Sequence, residues 1–204
     1  MKDMHLNLIT EEEHIRTNPL GRATYAEHIA RYSWACRYAK GLTLDLGCGC
    51  GYGSFLMSFI ADKVIGIDYE DIAIETANEH FKRPNIEYKL QDLEDFNEKE
   101  YDFFAMLECL EHVEDPIFVL TDVKRKLKTG GRGIISLPVN NKDPHHKMVL
   151  RSPAKAIRFM DPFFEKIQIY FQISNMIIPV TSNEILMRLY PSYVLFLVTK
   201  EDKQ

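Results

Sequence analysis

A short apolar strand that runs straight into a glycine-rich turn and then an apolar helix leaves few folds open. Leu42, Leu44 and Leu46 alternate along such a strand, Gly47-Cys48-Gly49-Cys50-Gly51-Tyr52-Gly53 follows, and Phe55, Leu56, Phe59 and Ile60 mark the helix. Strand, turn and helix in this order form the nucleotide-binding unit of α/β proteins. Glycines at 47, 49 and 51 let a ligand approach the backbone closely, because side chains there would intrude. The distinguishing residue is Asp45, two positions before the first glycine. A carboxylate there repels a pyrophosphate and favours a ligand that carries an ammonium group.

Four further segments follow in order. Val64-Ile65-Gly66-Ile67-Asp68-Tyr69 is an apolar strand closing on an acid, Asn85-Ile86-Glu87-Tyr88 leads to Gln91-Asp92-Leu93, and Tyr101-Asp102-Phe103-Phe104-Ala105-Met106-Leu107 runs into Glu108-Cys109-Leu110-Glu111-His112-Val113-Glu114-Asp115-Pro116. Thr129-Gly130-Gly131 then precedes Gly133-Ile134-Ile135-Ser136-Leu137. Together these segments, from about residue 32 to about 170, resemble the ordered motifs of the class I S-adenosylmethionine (SAM)-dependent methyltransferases. The resemblance implies that SAM binds along Asp45, Gly47, Cys48, Gly49, Gly51 and Tyr52. It also implies that Asp68 and Tyr69 meet the ribose side, Asp92 and Leu93 the adenine, and that Glu108 lines the cofactor site. Asp45 and the third acidic strand end at Asp92 count against an NAD-dependent oxidoreductase, whereas a non-catalytic SAM-binding module stays open as an alternative.

The periodicity predicts a helix over 22–39, strand 42–46, helix 53–61, strand 64–67, helix 71–82, strand 86–89, an acidic link 93–100, strand 102–107, helix 115–128 and strand 132–138. This alternation calls for a parallel sheet with helices on both faces. A polar loop over 139–150 precedes a helix that Ser152 caps and Pro153 starts; strands follow at 164–173 and 193–199. The resemblance implies a Rossmann-like sheet of seven strands, mostly parallel, with the last inserted antiparallel between the fifth and sixth. We expect one domain over 1–204, with a lid helix region over 1–40 and a core over 41–204. Tyr25, His28, Arg31 and Tyr32 are candidate cap residues over the cofactor; packing of the helix on the sheet explains the aromatics equally well.

The chain has 204 residues, 46% of them apolar and 27% charged, which suits one globular unit with a substantial core. Its apolar stretches fall short of the roughly 18 residues a membrane span needs. Lys2, Asp3, His5 and Glu11-Glu12-Glu13 give the N-terminus no apolar centre of a signal peptide, so the expected location is cytoplasmic. Cys36, Cys48, Cys50 and Cys109 lack the spacing of a zinc ribbon or a disulfide scaffold and read as reduced packing residues. A net charge of −5 argues against a broad nucleic-acid surface. The local basic run Lys124-Arg125-Lys126, Lys128 and Arg132 reads as a solvated helix end. The apolar residues Met176-Ile177-Ile178 and Ile185-Leu186-Met187 read as an acceptor-pocket wall with Tyr25 and Tyr32, or as a homodimer contact.

Transfer of a methyl group from a sulfonium is an in-line displacement, so alignment and exclusion of water dominate, and a hydroxyl acceptor also needs a base or a metal. Glu108, Glu111 and His112 fall at i, i+3 and i+4, which brings them to one face of a helical turn. Two carboxylates and an imidazole there make a partial site for a divalent cation, and Asp143-Pro144-His145-His146-Lys147 lies on the same side of the sheet. The segment resembles the Glu-x-x-Glu-His stretch of ubiquinone-biosynthesis O-methyltransferases and of small-RNA 2′-O-methyltransferases. That resemblance implies Glu108, Glu111, His112 and His146 as ligands of Mg²⁺ or Mn²⁺. Two other readings stay open: Glu108, His112, His145 or His146 acting without a metal, and a structural turn. The expected acceptor is a small-molecule or glycan hydroxyl, with RNA as the alternative.

Overall fold

The computed structural model describes residues 26–141, 144–180 and 190–202. Tyr25, Asp143 and the apolar run Ile185-Leu186-Met187 lie outside the described residues. Helix α1 (Ala26–Ala35) leads into β1 (Leu42–Leu46), α2 (Tyr52–Met57), β2 (Lys63–Asp68), α3 (Asp71–His80) and β3 (Ile86–Leu90). Next come β4 (Tyr101–Met106), a 3₁₀ turn (Leu110–His112), α4 (Pro116–Lys126), β5 (Leu127–Pro138) and α5 (Pro153–Met160). The described chain continues with β6 (Lys166–Ile173), β7 (Met176–Pro179) and β8 (Tyr193–Thr199).

The strands form one sheet in the order β3-β2-β1-β4-β5-β8-β6-β7. β1 to β5 are mutually parallel, and β8 runs antiparallel between β5 and β6. The expected Rossmann-like sheet is therefore present, but it has eight strands rather than seven. The added strand is Met176–Pro179, read from sequence as a pocket wall. It pairs antiparallel with β6, Ile173 opposite Met176, across a tight turn in which Ser174 is left-handed at φ 52°. That turn hides the hairpin from a periodicity reading, because only four residues follow it. β5 also starts five residues earlier than expected: its ladder with β4 shifts register between Tyr101 and Phe103, so the strand continues directly from α4.

Alternation along the strands builds two apolar layers. On β4, Phe103 and Ala105 face the layer that contains Tyr32, Trp34 and Met57, while Phe104 and Met106 face the layer under α4 and α5. Both helices of the second layer start as the sequence predicts. The Asp115 side chain accepts the N–H groups of Ile117 and Phe118 at 3.1 and 2.9 Å, with Pro116 in the first turn, and Ser152 accepts from Lys155 at 3.3 Å. The basic end of α4 is absorbed in ion pairs: Lys124 with Glu165, Arg125 and Lys126 with Asp122, and nearby Lys128 with Asp102.

α1 lies close to α2 because Gly53 has no side chain; a Cβ there would overlap the Tyr32 ring. Gly53→Ala forces that ring away from its buried seat. The expected cost is about 1–3 kcal/mol, seen as a lower urea midpoint at unchanged slope; an unchanged midpoint would show that the two helices are not packed this way.

Candidate active site

The strand order reverses between β1 and β4, and the crevice outside their carboxyl ends is where α/β sheets bind ligands. The turn after β1 is clamped from below: the Gly47 and Cys48 N–H groups both donate to the Ile67 carbonyl, at 2.9 and 3.0 Å. Gly47, Gly49 and Gly51 are left-handed at φ 75°, 51° and 86°. Their roles differ, contrary to the uniform reading from sequence. A Cβ on Gly47 would strike the Cys109 side chain at 2.6 Å, and one on Gly51 would meet Ala77 and Tyr88 at 2.6 and 2.7 Å, so those two glycines serve packing. Of the three, Gly49 alone opens onto empty space.

Asp45 is fully buried, and its two oxygens accept from Tyr32 Oη at 3.1 Å and Ser54 Oγ at 2.6 Å. Burial pushes its pKa up to about 6, against the lowering effect of those hydrogen bonds. The side chain therefore lies under the turn, with both oxygens engaged by the protein. Asp68, at the end of β2, accepts the Gly49 N–H at 2.7 Å on Oδ2 and the Glu70 N–H at 3.1 Å on Oδ1. Burial also raises its pKa. Each carboxylate oxygen keeps acceptor capacity for a ribose hydroxyl. Next to it, Tyr69 is 73% exposed over the crevice edge. Asp92 is exposed, with Oδ1 accepting the Glu94 N–H at 2.9 Å, and Leu93 beside it is buried.

Three side chains of α1, at i, i+3 and i+4, share the face turned toward this end of the sheet. Tyr32 holds Asp45, and His28 Nδ1 lies 3.2 Å from Tyr52 Oη. Arg31, only 1% exposed, places Nη2 2.8 Å from Glu108 Oε1 and donates from Nη1 to Gln172 at 2.7 Å. Its guanidinium also covers the Tyr193 ring, 4.2 Å from the centroid. The Nη2 to Oε1 contact is an ion pair off the line of a hydrogen bond, so both of these buried atoms retain bonding capacity. Glu108 is left-handed at φ 55°, its N–H donates to Ser136 Oγ at 3.0 Å, and the neighbouring Tyr193 favours its charged form. Burial raises the pKa of Glu108 and Arg31 opposes the rise. A strained backbone held by this many contacts is characteristic of functional positions.

The left-handed turn at Glu108 parts it from the residues expected to join it. Glu111, on the 3₁₀ turn, gathers instead with His112 and His146, with ligand-capable atoms of all three within 4.8 Å of one another. The expected four-residue set thus becomes three, with Glu108 turned to Arg31. Glu111 is buried, neither carboxyl oxygen has a formed hydrogen bond, and burial pushes its pKa up to about 8. The Glu111 carbonyl accepts the N–H groups of Lys147 and Met148 at 2.8 and 3.2 Å, which docks the loop after β5 onto the turn. His145 is exposed; its carbonyl, 3.3 Å from His112 Nδ1, fixes the proton on that nitrogen and leaves the Nε2 lone pair available. Of the residues expected to wall a pocket, Tyr32 is sealed against Asp45, Ile177 packs against the apolar layer that holds Tyr32, and Met176 lies exposed on the edge hairpin.

Sequence reasoning named Arg31 only as a cap residue and missed Gln172 and Tyr193, which sit on late strands with no local motif. The one available signal was an arginine on the apolar stripe of α1, three residues from His28.

A family model described as a methyltransferase domain matches residues 44–135. Residues 44–135, with the sheet order around them, are thus similar to the methyltransferase domain of the class I SAM-dependent enzymes. The ubiquinone biosynthesis O-methyltransferase of Thiobacillus denitrificans is 34% identical over 93 residues, covering 43% of this chain and 40% of that protein. The chain matches about half or less of such curated relatives, 40% and 49% of the first two. Among solved structures, the complex of the Haloferax volcanii Trm112 methyltransferase activator with a methyltransferase matches at TM-score 0.73, 13% identity and 94% and 98% coverage of the two chains. The N-methyltransferase NodS of Bradyrhizobium japonicum, bound to S-adenosylhomocysteine, matches at TM-score 0.68, 14% identity and 94% and 95% coverage. These structural likenesses concern the fold. No helix among the described residues is long and apolar enough to cross a membrane.

Proposed function

We propose that the protein transfers the methyl group of SAM to the oxygen of a small-molecule or glycan hydroxyl. The cluster of Glu111, His112 and His146 beside the β4 crevice carries this reading, because an amine or thiolate acceptor needs no such apparatus. The relatives named for O-methylation support it. In this reading Gly49 admits the cofactor, Asp68 accepts from its ribose, Asp92 from its adenine amine, and Tyr69 covers the edge. Arg31 and Glu108 hold its amino-acid end, guanidinium to carboxylate and carboxylate to ammonium, while Asp45 adds negative charge beneath the turn.

The buried Glu111 carboxyl without a formed hydrogen bond and two nearby imidazoles fit a divalent ion of borderline softness. Mn²⁺ suits two nitrogen donors better than Mg²⁺, which prefers oxygen. When bound, such an ion supplies Lewis acidity that lowers the pKa of a hydroxyl. The chain's own residues orient the acceptor and take up its proton: without an ion, His112 Nε2 receives it. The C–S bond then breaks as the O–C bond forms, and S-adenosylhomocysteine leaves. The test is incubation with methyl-labelled SAM and a panel of catechols, phenols, sugars and RNA. Label is expected on small hydroxyl compounds. Labelling of an RNA 3′ end alone, falling steeply with salt, would replace this reading with the RNA one.

A further inference from the structure

Gln172 is fully buried near the end of β6, far in sequence from every motif of the crevice, yet its side-chain bonds tie α1 and Arg31 to the β6–β7 turn. Its Oε1 accepts from Arg31 Nη1 at 2.7 Å, and its Nε2 donates to the carbonyls of Glu27 and Ser174, both at 2.9 Å. The first of these carbonyls belongs to the opening turn of α1, and the second to the left-handed residue of the β6–β7 turn. Across the sheet, Gln172 pairs with Tyr193, whose ring lies under the same guanidinium. The cross-strand pair thus grips Arg31 on two sides, one residue at its edge and one at its face. A planar guanidinium has five donors in a fixed fork, so fixing one edge sets where the other points.

We propose that Gln172 is a positioning residue that aims Arg31 at the carboxylate of the cofactor's amino-acid group, so that the β6–β7 hairpin and α1 jointly set cofactor recognition. The proposal rests on the reading that Arg31 and Glu108 hold that group. Without Gln172, Arg31 Nη1 is left buried with no acceptor, and the guanidinium turns toward Glu108, where it no longer presents Nη2 to a ligand.

Calorimetry on the full chain with S-adenosylhomocysteine and 5′-methylthioadenosine tests this. Both carry the thioadenosine part, and only the first carries the amino-acid group. Gln172→Leu is expected to weaken S-adenosylhomocysteine about tenfold, the scale of one hydrogen bond to a charged group, while 5′-methylthioadenosine binds as to wild type. Arg31→Ala should show the same split, at least as large. Equal weakening of both ligands in Gln172→Leu would mean a merely structural role and overturn the proposal. So would an unchanged ratio in Gln172→Leu when Arg31→Ala changes it. If Arg31→Ala leaves the ratio unchanged, the reading beneath the proposal falls with it. Should Gln172→Leu fail to bind 5′-methylthioadenosine, the unbranched Gln172→Met is read in its place, and failure of both overturns the proposal.

Discussion

Glu111→Gln lowers methyl transfer to a hydroxyl acceptor by roughly 100-fold or more, the range lost when a positioned acid–base group or metal ligand is removed. SAM binding should stay within about twofold of wild type, because the cofactor contacts proposed above lie elsewhere in the crevice. The substitution is nearly isosteric, so it changes chemistry more than packing. Burial already holds the Glu111 carboxyl up at about 8, so a neutral amide suits the cavity and the fold should not suffer. A chelator arm separates the two ways in which the cluster acts. Loss of transfer in excess EDTA, with recovery on adding Mn²⁺, is expected if an ion sits among Glu111, His112 and His146. Full activity in EDTA together with a large loss in His112→Ala would assign the work to His112 Nε2 alone. Wild-type transfer by Glu111→Gln would remove the ion from the site, and wild-type transfer by His112→Ala as well would leave the turn a structural one.

The parts of this site that the sequence displays are those built from consecutive residues. The glycine turn with Asp45 is legible because strand, turn and helix are contiguous, and Asp68 and Asp92 because each ends a short apolar run. The capped starts of α4 and α5 are legible for the same reason, since a cap and its first turn are neighbours in the chain. What escaped the reading depends on backbone geometry or on distant pairing. A helical spacing of Glu108, Glu111 and His112 presumes helical dihedrals at every step, and the left-handed Glu108 breaks that premise, sending its carboxylate to Arg31 while Glu111 and His112 continue toward His146. The Arg31–Gln172 bond spans 141 residues, and no local pattern announces it. The glycines taught a similar lesson: three looked alike in sequence, but only Gly49 faces open space.

Asp68→Ala should weaken SAM, S-adenosylhomocysteine and 5′-methylthioadenosine together, each by roughly 1.5–3 kcal/mol, or about 10- to 150-fold. The size follows from what one carboxylate does in two directions. Toward the ligand it is the acceptor proposed for the ribose hydroxyls, which all three compounds share. Toward the protein it accepts the Gly49 N–H at 2.7 Å and so holds the one glycine of the turn that meets empty space. Removing it leaves that N–H without its acceptor and frees the turn at the proposed point of ligand approach, so the loss should reach the upper part of the range. Asp68→Asn keeps an oxygen for Gly49 but surrenders the charge, and an intermediate loss is expected. The pattern across ligands matters more than its size. A ribose contact weakens the three compounds equally, whereas a contact at the amino-acid end, as argued for Arg31 and Gln172, spares 5′-methylthioadenosine. If Asp68→Ala instead weakened S-adenosylhomocysteine alone, the cofactor would lie reversed in the crevice, its methionine end at β2, and the assignments of Asp68, Arg31 and Glu108 would have to be exchanged.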